Sequence, residues 1–517
     1  MFALKAVTFS LMSSTHTPSP TPETGAQKAV NSAPPTSSMP VAHKLEKAEF
    51  LLLAIMVIAG FVLILNETLL GVALPEIMRD LNITASTAQW TSTGFMLTMA
   101  VVTPASGFII SRFSIRTVFM GAMLLFSLGT LVAATAPGIG MLLTGRVLQA
   151  SGTGVMMPLL MTTMMRMVAP SKIGQAMGII GMVISAAPAM GPTVSGLVLG
   201  VGTWRWLFWL VLPIGIAALL VGMKLAPADA PTGSNQKLDA LSMLLSTLGF
   251  GGLVLGLSSM GGSSAHGGAH LPVNPWVIVI SAAIILAIFV WRQLKLQDRG
   301  PFMDMRIFRS RPFTLTVLMT SIGMGVMLGT SILIPLYTAN VLGVSALQTG
   351  LMLLPGGVLM AVLSPLVGRM SDRFGARALV LPGAVLLAGS IWLMSTFSQT
   401  TPQWYIIATY MLMTFSLPFI NTPMMGLGLG SLSGELTAFG SSAMTTFQQV
   451  SGAASTALFV ALMGIGSAAH GGTGVEAYMA GVHLAFLVAA FMSLTSIVVA
   501  LLLPAGKQAA GSAPMAH

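Results

Sequence analysis

The chain has 517 residues, of which 55% are hydrophobic and only 7% are charged. Because a soluble globular protein carries about 25% charged residues, this composition excludes that class and indicates a polytopic membrane protein. The formal net charge of +10 would suit nucleic-acid binding, but basic residues also collect in the cytoplasmic loops of membrane proteins.

Composition also limits the chemistry available to the chain. There is no cysteine, which excludes disulfides, thiolate catalysis and cysteine-bound metals. His266 and His270 are closely spaced, but they lie in a glycine-rich stretch without a nearby acid, so we expect no metal site. The sequence has no G-x-x-x-x-G-K-[ST] phosphate-binding loop, so we expect neither ATP hydrolysis nor a cofactor.

Residues 1–48 differ from the rest of the chain. Ser, Thr, Pro and Ala dominate residues 13–39, which predicts a disordered cytoplasmic tail. The first twelve residues resemble a signal peptide only faintly, because their apolar run is too short. A dispensable tail, or a translation start nearer Met39, explains this stretch better.

Apolar runs of about 20 residues, the length that crosses ~30 Å of hydrocarbon, recur fourteen times after this tail. The runs are 51–73, 88–110, 117–136, 140–164, 175–200, 205–224, 238–258, 275–296, 313–337, 347–368, 379–397, 404–428, 440–466 and 479–503. We therefore predict an all-α polytopic membrane protein with fourteen transmembrane helices.

An even number of spans places both termini on one side of the membrane, and the Lys and Arg residues indicate which side. Twenty of the 23 basic residues fall in the tails and in the loops on the side of the N-terminus. The opposite face has only Arg79 and Arg205. We predict that both termini are cytoplasmic, and this topology accounts for the basic charge without a nucleic-acid partner.

Two ionisable side chains fall well inside the predicted spans, namely Glu67 in span 1 and Arg146 in span 4. Each costs roughly 2.5–3.5 kcal/mol to insert, so such residues are functional candidates. At about 1.5 Å per residue, both lie at similar depth in the outer half of the membrane. They can pair directly or through Gln149, which shares the helical face of Arg146. An inert ion pair that joins two helices is the alternative to a functional role.

Span 5 contains the sequence GIIGMVISAAPAMGPTVSG, in which small residues and prolines recur. Ala187, Gly191 and Ser195 are four residues apart, so one face of the helix allows a neighbour to approach closely. Pro188 and Pro192 each remove a helical hydrogen bond and are expected to bend the segment. Tight packing is one interpretation, and a rocking transporter also needs such helices.

Two loops on the predicted cytoplasmic side resemble each other, GFIISRFSIR and GRMSDRFGAR. Both follow an inward-running span, and their recurrence in the two halves of the chain indicates an internal repeat. A basic turn that contacts helix C-termini and lipid phosphates is the simpler interpretation. The residues concerned are Gly107, Arg112 and Arg116 in the first copy, and Gly368, Asp372, Arg373, Gly375 and Arg377 in the second.

Over about residues 50–503, these segments resemble the major facilitator superfamily, and within it the fourteen-helix branch of drug:proton antiporters. The first loop is similar to the superfamily signature G-x-L-x-D-R-x-G-R-[KR], with Ser111, Ser114 and Ile115 in place of the Asp, the second Gly and the first closing Arg. The second copy keeps the acid of the signature at Asp372.

Three spans strengthen the resemblance. LLTGRVLQASGTG is similar to the span-4 signature whose Arg is implicated in proton coupling, a role that the resemblance assigns to Arg146. LILNETLLGVALP resembles the span-1 pattern L-D-x-T-[IV]-V-N-x-A-L-P, with Asn66 in the Asp position, and its N-E-T resembles the lincomycin-exporter subgroup. Span 5 resembles the antiporter signature G-x8-G-x3-G-P-x2-G-G, which distinguishes exporters from importers. The span-5 positions are Gly178, Ala187, Gly191, Pro192, Ser195 and Gly196.

The resemblance implies a fold of two six-helix bundles with two extra helices between them. The expected division is a disordered tail at 1–48, an N-terminal bundle at 49–224, a two-helix insert with its loops at 225–312, a C-terminal bundle at 313–503 and a tail at 504–517. Substrate should bind near the midplane between the bundles, and the bundles should rock to give alternating access.

The function that the resemblance implies is proton-coupled multidrug export. We hypothesise that Glu67 exchanges a proton for a drug, with Arg146, Asn66 and Gln149 as the other members of the coupling site. The expected partners are small-molecule drugs, protons and membrane lipids, and the expected form is a monomer in the inner bacterial membrane. An exporter of a lipid or cell-envelope precursor would share every motif and stays open.

The substrate cavity should be apolar and adaptable, because the chain has forty methionines and flexible thioethers suit promiscuous surfaces. Lipid-facing or core positions are the alternative for each methionine, and a core hydrogen bond is the alternative for each polar residue. The cavity candidates are Met161, Met164, Met165, Met324, Met327, Asn421, Gln448, Gln449 and His483.

Overall fold

The computed structural model describes residues 47–225, 239–262, 273–297, 301–344, 346–471 and 474–503, and these residues form fourteen long α-helices and two short 3-10 turns, without a β-strand. The helices are α1 Lys47–Leu81, α2 Ala85–Arg112, α3 Ile115–Ala134, α4 Ile139–Met167, α5 Ile173–Leu199, α6 Arg205–Leu225, α7 Ala240–Gly262, α8 Pro275–Lys295, α9 Arg311–Asn340, α10 Ala346–Phe374, α11 Ala376–Met394, α12 Gln403–Gly430, α13 Thr437–Ala469 and α14 Val475–Leu501. The predicted tails, apart from residues 47 and 48, lie outside the described residues, as do His266 and His270.

Each of the fourteen apolar runs corresponds to one of these helices. Twelve of the helices, within the part of the chain that the structure describes, are long and apolar enough to cross a membrane. Of the other two, α4 contains Arg146, and α5 includes residues whose side chains lie outside the described part of the structure. A polytopic all-helical membrane protein is therefore confirmed, while the number of fourteen membrane spans stays a prediction.

Local sequence determines where several helices begin. The hydroxyl oxygens of Thr84 and Ser114 precede α2 and α3 and accept hydrogen bonds from the backbone N–H groups of Thr87 and Thr117, at 3.3 and 3.2 Å. Gly375 alone separates α10 from α11, and its φ of 84° is a conformation that glycine adopts without strain. The resulting sharp turn leaves the last turn of α10 close to the start of α11.

The helices pack into two groups with a hairpin at their side. Helices α1–α6 pack against one another, and so do α9–α14. One hydrophobic core is centred on α1–α6 but also includes residues of α9, α12 and α13, and a second core is formed by α9–α14. The hairpin consists of α7 and α8, and α7 packs against both α2 and α13. A chain of ring contacts runs from the hairpin to α2 through Phe250, Phe289, Phe302 and Phe108. The two extra helices thus lie beside the seam where α2 meets α13.

We call the end of the molecule at which α2 and α10 finish the basic end, because Arg112 and Arg373 mark it. The two groups of helices meet along α2 with α13 and along α5 with α10. Hydrogen bonds join them near the basic end, for example between the hydroxyls of Thr162 and Ser441 at 2.8 Å. The basic end is the one predicted to face the cytoplasm.

At the opposite end, an ion pair fastens α1 to α6. Asp80 accepts hydrogen bonds from Arg205 Nη1 at 2.5 Å and from the indole of Trp204 at 3.0 Å. Arg205 also donates to the carbonyl of Ala136 at 2.9 Å, between α3 and α4. These bonds join three helix ends that are distant in the sequence.

Candidate functional site

Arg146 lies on α4, is only 1% exposed and is surrounded by neutral groups. Its Nη1 donates hydrogen bonds to Asn66 Oδ1 at 2.8 Å and to Gln149 Oε1 at 3.1 Å. Its Nε donates to the carbonyl of Thr91 at 3.2 Å. The guanidinium carbon lies 4.1 Å from the ring centroid of Phe95, a cation–π distance. We call these five residues the arginine cluster.

A hydrogen bond to α3 holds the arginine cluster in place. Gln149 Nε2 donates to the hydroxyl of Thr130 at 2.8 Å, which orients the amide so that its oxygen faces Arg146. Thr130 in turn donates to the carbonyl of Phe126. Arg146 Nη2 is buried and has no hydrogen-bond partner among the described residues. The cluster therefore holds a cation by neutral acceptors and leaves the two N–H groups of Nη2 without an acceptor.

Glu67 follows Asn66 in α1, yet it is not part of the cluster. It is half-buried, and none of the three ion pairs among the described residues includes it. Arg146 acts on it only through space. One residue corresponds to about 100° around a helix, so Asn66 and Glu67 cannot both face the guanidinium. Of the two predicted arrangements, the direct pair is absent, and Asn66 and Gln149 bind Arg146 instead.

The small residues of α5 allow close contacts on two sides. A Cβ added at Gly191 would overlap the side chain of Thr68, the neighbour of Glu67, so glycine lets α5 lie directly against α1. A Cβ added at Gly178 would lie 2.6 Å from the carbonyl oxygen of Ser364 on α10. The small-residue pattern therefore serves both the contact with α1 and the contact between the two groups of helices.

Other predicted residues of α5 take different positions. Ala187 and Ser195 are buried, whereas Gly196 is exposed with no heavy atom near its added Cβ. The helix is continuous through Pro188 and Pro192, whose side chains lie outside the described part of the structure.

The second basic loop closes the basic end through a charge-assisted contact. Asp372 accepts hydrogen bonds from the backbone N–H groups of Gly174 and Gln175, at 2.7 and 2.9 Å, in the first turn of α5. The partial positive charge of a helix N-terminus favours a carboxylate there. Gly368 lies so close to Gly174 that an added Cβ would meet the backbone. This contact joins α10 to α5.

The first basic loop closes the same end without a charge. Ser111 stands at the position equivalent to Asp372, and its hydroxyl donates to the carbonyl of Phe108 in its own helix at 2.9 Å. The seam between α2 and α13 is instead joined by Ser442, whose hydroxyl donates to the carbonyl of Thr103 at 2.6 Å. The backbones approach closely at Gly107 on this seam, where an added Cβ would lie 3.2 Å from Phe439 Cα.

The arginines of the two loops lie around these contacts. The guanidinium of Arg112 is 5.8 Å from the ring centroid of Phe108, and that of Arg373 is 5.3 Å from the ring centroid of Phe374. Arg116 and Arg377 are half-buried in the first turns of α3 and α11.

A cavity of about 30 Å³ lies where α5, α9, α10, α12 and α13 meet. This volume is far below the roughly 300–1,000 Å³ of sites for drug-sized ligands, so helices must move before a large molecule can enter. The lining residues are Gly181, Ile184, Thr320, Met324, Met327, Met360, Ser364, Pro418, Asn421, Thr422, Met425 and Gln448.

Four predicted cavity residues line this cavity, namely Met324, Met327, Asn421 and Gln448. The remaining five lie elsewhere, because spacing along a helix does not reveal which neighbour each face meets. Met161 and Met164 are buried in the first hydrophobic core, Met165 packs against that core, Gln449 lies beside Met99, and His483 binds the carbonyl of Phe397.

Sequence reasoning missed several members of both sites. Thr91 and Phe95 belong to the arginine cluster, and their spacing of four residues in span 2 was the available signal. In the cavity, Ser364 and Thr422 were missed, because hydroxyl residues in helices commonly bond to their own backbone and give no distinct signal.

Two packed groups of membrane-type helices, a buried arginine and a cavity between the groups define a membrane transporter. Residues 56–456 match the family model described as Major Facilitator Superfamily, and the chain belongs to that superfamily.

Relatives and solved structures agree with this family. The chain is 38% identical over 464 residues to the lincomycin resistance protein LmrB of Listeria monocytogenes. The aligned region covers 88% of this chain and 97% of that protein. It is 30% identical over 413 residues to the multidrug resistance protein B homolog of Mycobacterium tuberculosis (strain H37Rv), covering 79% of this chain and 75% of that protein. The crystal structure of the human organic anion transporter MFSD10 shares the fold, with a TM-score of 0.62 at 14% identity and coverage of 88% and 100%. The protein is thus a multi-pass transporter of the bacterial cell membrane.

Proposed function

We propose that this transporter expels hydrophobic or cationic drugs in exchange for protons, with Glu67 as the proton carrier. The observation that carries the proposal is the arginine cluster, in which Asn66 and Gln149 accept hydrogen bonds from Arg146 Nη1 and the adjacent acid forms none of the described ion pairs. The names of the relatives, which are resistance proteins for lincomycin and for multiple drugs, support drug export.

The division of tasks in the cluster follows from its bonds. Asn66 cannot titrate, so its bond to Arg146 does not depend on a change of its protonation. Glu67 is half-buried, and we propose that its exposure changes when the two bundles move relative to each other. A movement that exposes Glu67 to one side of the membrane or to the other lets it take up a proton on one side and release it on the other.

The driving force is the proton gradient. One pH unit across the membrane supplies ~1.36 kcal/mol per proton, which supports about tenfold accumulation of a drug. With one acid in the membrane interior, the proposed stoichiometry is one proton per cycle. When Glu67 is ionised it attracts a cationic drug, and when it is protonated the return movement carries no bare carboxylate.

We also propose a membrane topology and a division into domains. We place both termini in the cytoplasm, with fourteen spans, an N-terminal bundle at 49–224, a two-helix insert at 225–312 and a C-terminal bundle at 313–503. The packing of α1–α6 and of α9–α14 into separate groups supports the two bundles. Membrane lipids surround the α7–α8 hairpin, and the functional unit is a monomer.

Transport in inside-out membrane vesicles tests the exchange. Glu67→Gln should reduce pH-driven uptake of a fluorescent cationic dye at least tenfold, because the glutamine cannot carry a proton. Glu476→Gln, which changes an exposed acid in the first turn of α14, is the matched control and should transport normally. Full pH-driven uptake by the Glu67→Gln protein at equal expression would refute the role of Glu67.

A further inference from the structure

The cavity contains two polar side chains that the protein leaves unsatisfied. Asn421 Oδ1 and Thr422 Oγ1 are buried and have no hydrogen-bond partner among the described residues. Thr422 is only 1% exposed. An unsatisfied buried acceptor costs about 1–3 kcal/mol, so such groups call for a ligand or a functional explanation.

Neighbouring hydroxyls in the same cavity show what Thr422 does not do. Thr320 donates to the carbonyl of Thr316 at 2.9 Å, and Ser364 donates to the carbonyl of Met360 at 2.8 Å. Both follow the usual pattern of a helical hydroxyl that bonds one turn back. Thr422 lacks such a bond, although the carbonyl of Pro418 lies one turn before it in α12. Its hydroxyl remains available to a molecule in the cavity.

The other walls of the cavity are apolar and adaptable. Met324, Met327, Met360 and Met425 present four thioethers from α9, α10 and α12. Methionine side chains fill irregular spaces and rearrange around different apolar shapes. None of the twelve lining residues is ionisable, so the cavity offers hydroxyl and amide groups and apolar surface but no charge, and the oxygens of Asn421 and Thr422 can accept hydrogen bonds.

We infer that Asn421 and Thr422 form a cargo subsite that recognises hydrogen-bond donors. It accepts N–H or O–H groups of an amphipathic molecule whose apolar part packs on the methionines. This inference rests on the proposed drug export and adds the class of cargo. It adds recognition of hydrogen-bond donors on α12 to the proton exchange at Glu67 on α1.

The test is equilibrium binding of two fluorescent probes to the purified full-length protein in detergent. The first is 4-(pyren-1-yl)butylammonium, whose ammonium group donates hydrogen bonds. The second is its N-trimethyl analogue, which has the same charge and the same ring system but no donor. Binding is measured without a pH gradient, so the result does not depend on transport.

The wild-type protein should bind the ammonium probe more tightly than the trimethyl probe. Asn421→Ala and Thr422→Val should each weaken binding of the ammonium probe about tenfold, the effect of one hydrogen bond to a charged group. Binding of the trimethyl probe should change less than twofold. Asn421→Asp, which keeps the shape and adds a charge, should tighten the binding of both probes.

Thr330→Val is the matched control, since Thr330 on α9 is also a buried hydroxyl without a partner among the described residues but does not line the cavity. It should bind both probes like the wild type. Equal losses for the two probes would show that α12 only packs against cargo, and would overturn the donor subsite. Wild-type affinity in both α12 variants, or no binding of either probe by the wild type, would overturn it as well. The proposed role of Glu67 has a separate test. It would be refuted by pH-driven transport in the Glu67→Gln protein, whatever the outcome of the binding measurements.

Discussion

Arg146 Nη1 lies 2.8 Å from Asn66 Oδ1, and this neutral amide, rather than the adjacent carboxylate of Glu67, binds the buried guanidinium. The contact joins α4 to α1 in the interior of the membrane-spanning region. The buried arginine thus has no bonded counter-charge among the described residues. Asn66 holds it in place, while Glu67 remains the group that can take up a proton.

The first prediction concerns the stability of this contact. Asn66→Ala should destabilise the folded protein by roughly 1.5–3 kcal/mol, because it removes a hydrogen bond to a buried charged group. Glu67→Gln should leave the stability unchanged or slightly higher, because Glu67 has no ion pair to lose. Thermal unfolding of the purified variants in detergent measures both effects. An Asn66→Ala protein that unfolds at the wild-type temperature would contradict the structural role.

The second prediction concerns the charge at the basic end. Asp372→Asn should weaken the contact with the first turn of α5, because the amide loses the negative charge that the helix N-terminus favours. The basic end should then open more often. A drop of several-fold in the maximal transport rate, with the protein still folded, is the expected result in vesicles. Asp304→Asn, outside this contact, serves as the control, and equal rates in the two variants would argue against a special role for Asp372.

The third prediction uses the absence of cysteine from the chain. A Cβ added at Gly181 would lie 3.4 Å from Ser364 Cβ across the seam of α5 and α10, near the spacing of about 3.5–4.5 Å in disulfides. A Gly181→Cys, Ser364→Cys protein should therefore form a disulfide on oxidation and stop transporting, because the two bundles cannot separate. A reducing agent should restore transport to the level of the reduced double variant.

The control for this experiment is Gly252→Cys with Ala282→Cys inside the α7–α8 hairpin, where the corresponding Cβ distance is 3.1 Å. Its disulfide joins two helices of one hairpin and should leave transport unchanged. If the oxidised Gly181→Cys, Ser364→Cys protein still transports at full rate, the seam of α5 and α10 does not open during the cycle.

The fourth prediction concerns pH and the ion pair between Asp80 and Arg205. Hydrogen bonds from Arg205, and then from Trp204, hold the pKa of the Asp80 carboxyl below its ordinary value of 3.8. A lowered pKa stabilises the folded state above the pKa of the unfolded chain, and this stabilisation is lost as the pH falls through the folded-state pKa. Asp80→Asn should thus lower the free energy of unfolding by a constant amount from pH 5 to pH 8. This decrease should vanish once the pH falls below the folded-state pKa of Asp80.

The decrease in the free energy of unfolding should be below about 1 kcal/mol, because the pair is partly exposed to solvent. Thermal unfolding of the wild type and of Asp80→Asn across the pH range gives the difference directly. A penalty for Asp80→Asn that grows as the pH falls would contradict the assignment.

Much of the fold could be predicted because apolar length is a strong signal. Each apolar run corresponds to a helix, and ionisable residues in such runs are few, so Glu67 and Arg146 were evident from the sequence. Their relative orientation could not be predicted. The rise per residue gives the depth of a side chain, but the rotation of α1 about its axis depends on packing against α4, α5 and α6, which no local pattern encodes.

The lining of the cavity could not be predicted from the sequence for the same reason. Met324 and Met161 look alike in the sequence, since both are methionines in glycine-rich and threonine-rich spans. Only the packing of five helices makes Met324 a lining residue and buries Met161 in the first core. Thr422 could not be singled out, because what distinguishes it is a hydrogen bond that it does not make.

The neutral surroundings of Arg146 have a further consequence, which concerns voltage. Since Arg146 and Glu67 are the ionisable residues inside the predicted spans, the net charge of the membrane interior depends on the protonation of Glu67. It is zero when Glu67 is ionised and +1 when Glu67 is protonated. A charge that crosses the whole membrane field gains or loses ~2.3 kcal/mol per 100 mV. When the exported drug is neutral, the membrane potential therefore acts on the half of the cycle in which Glu67 carries a proton. The half in which the drug is carried moves no net charge.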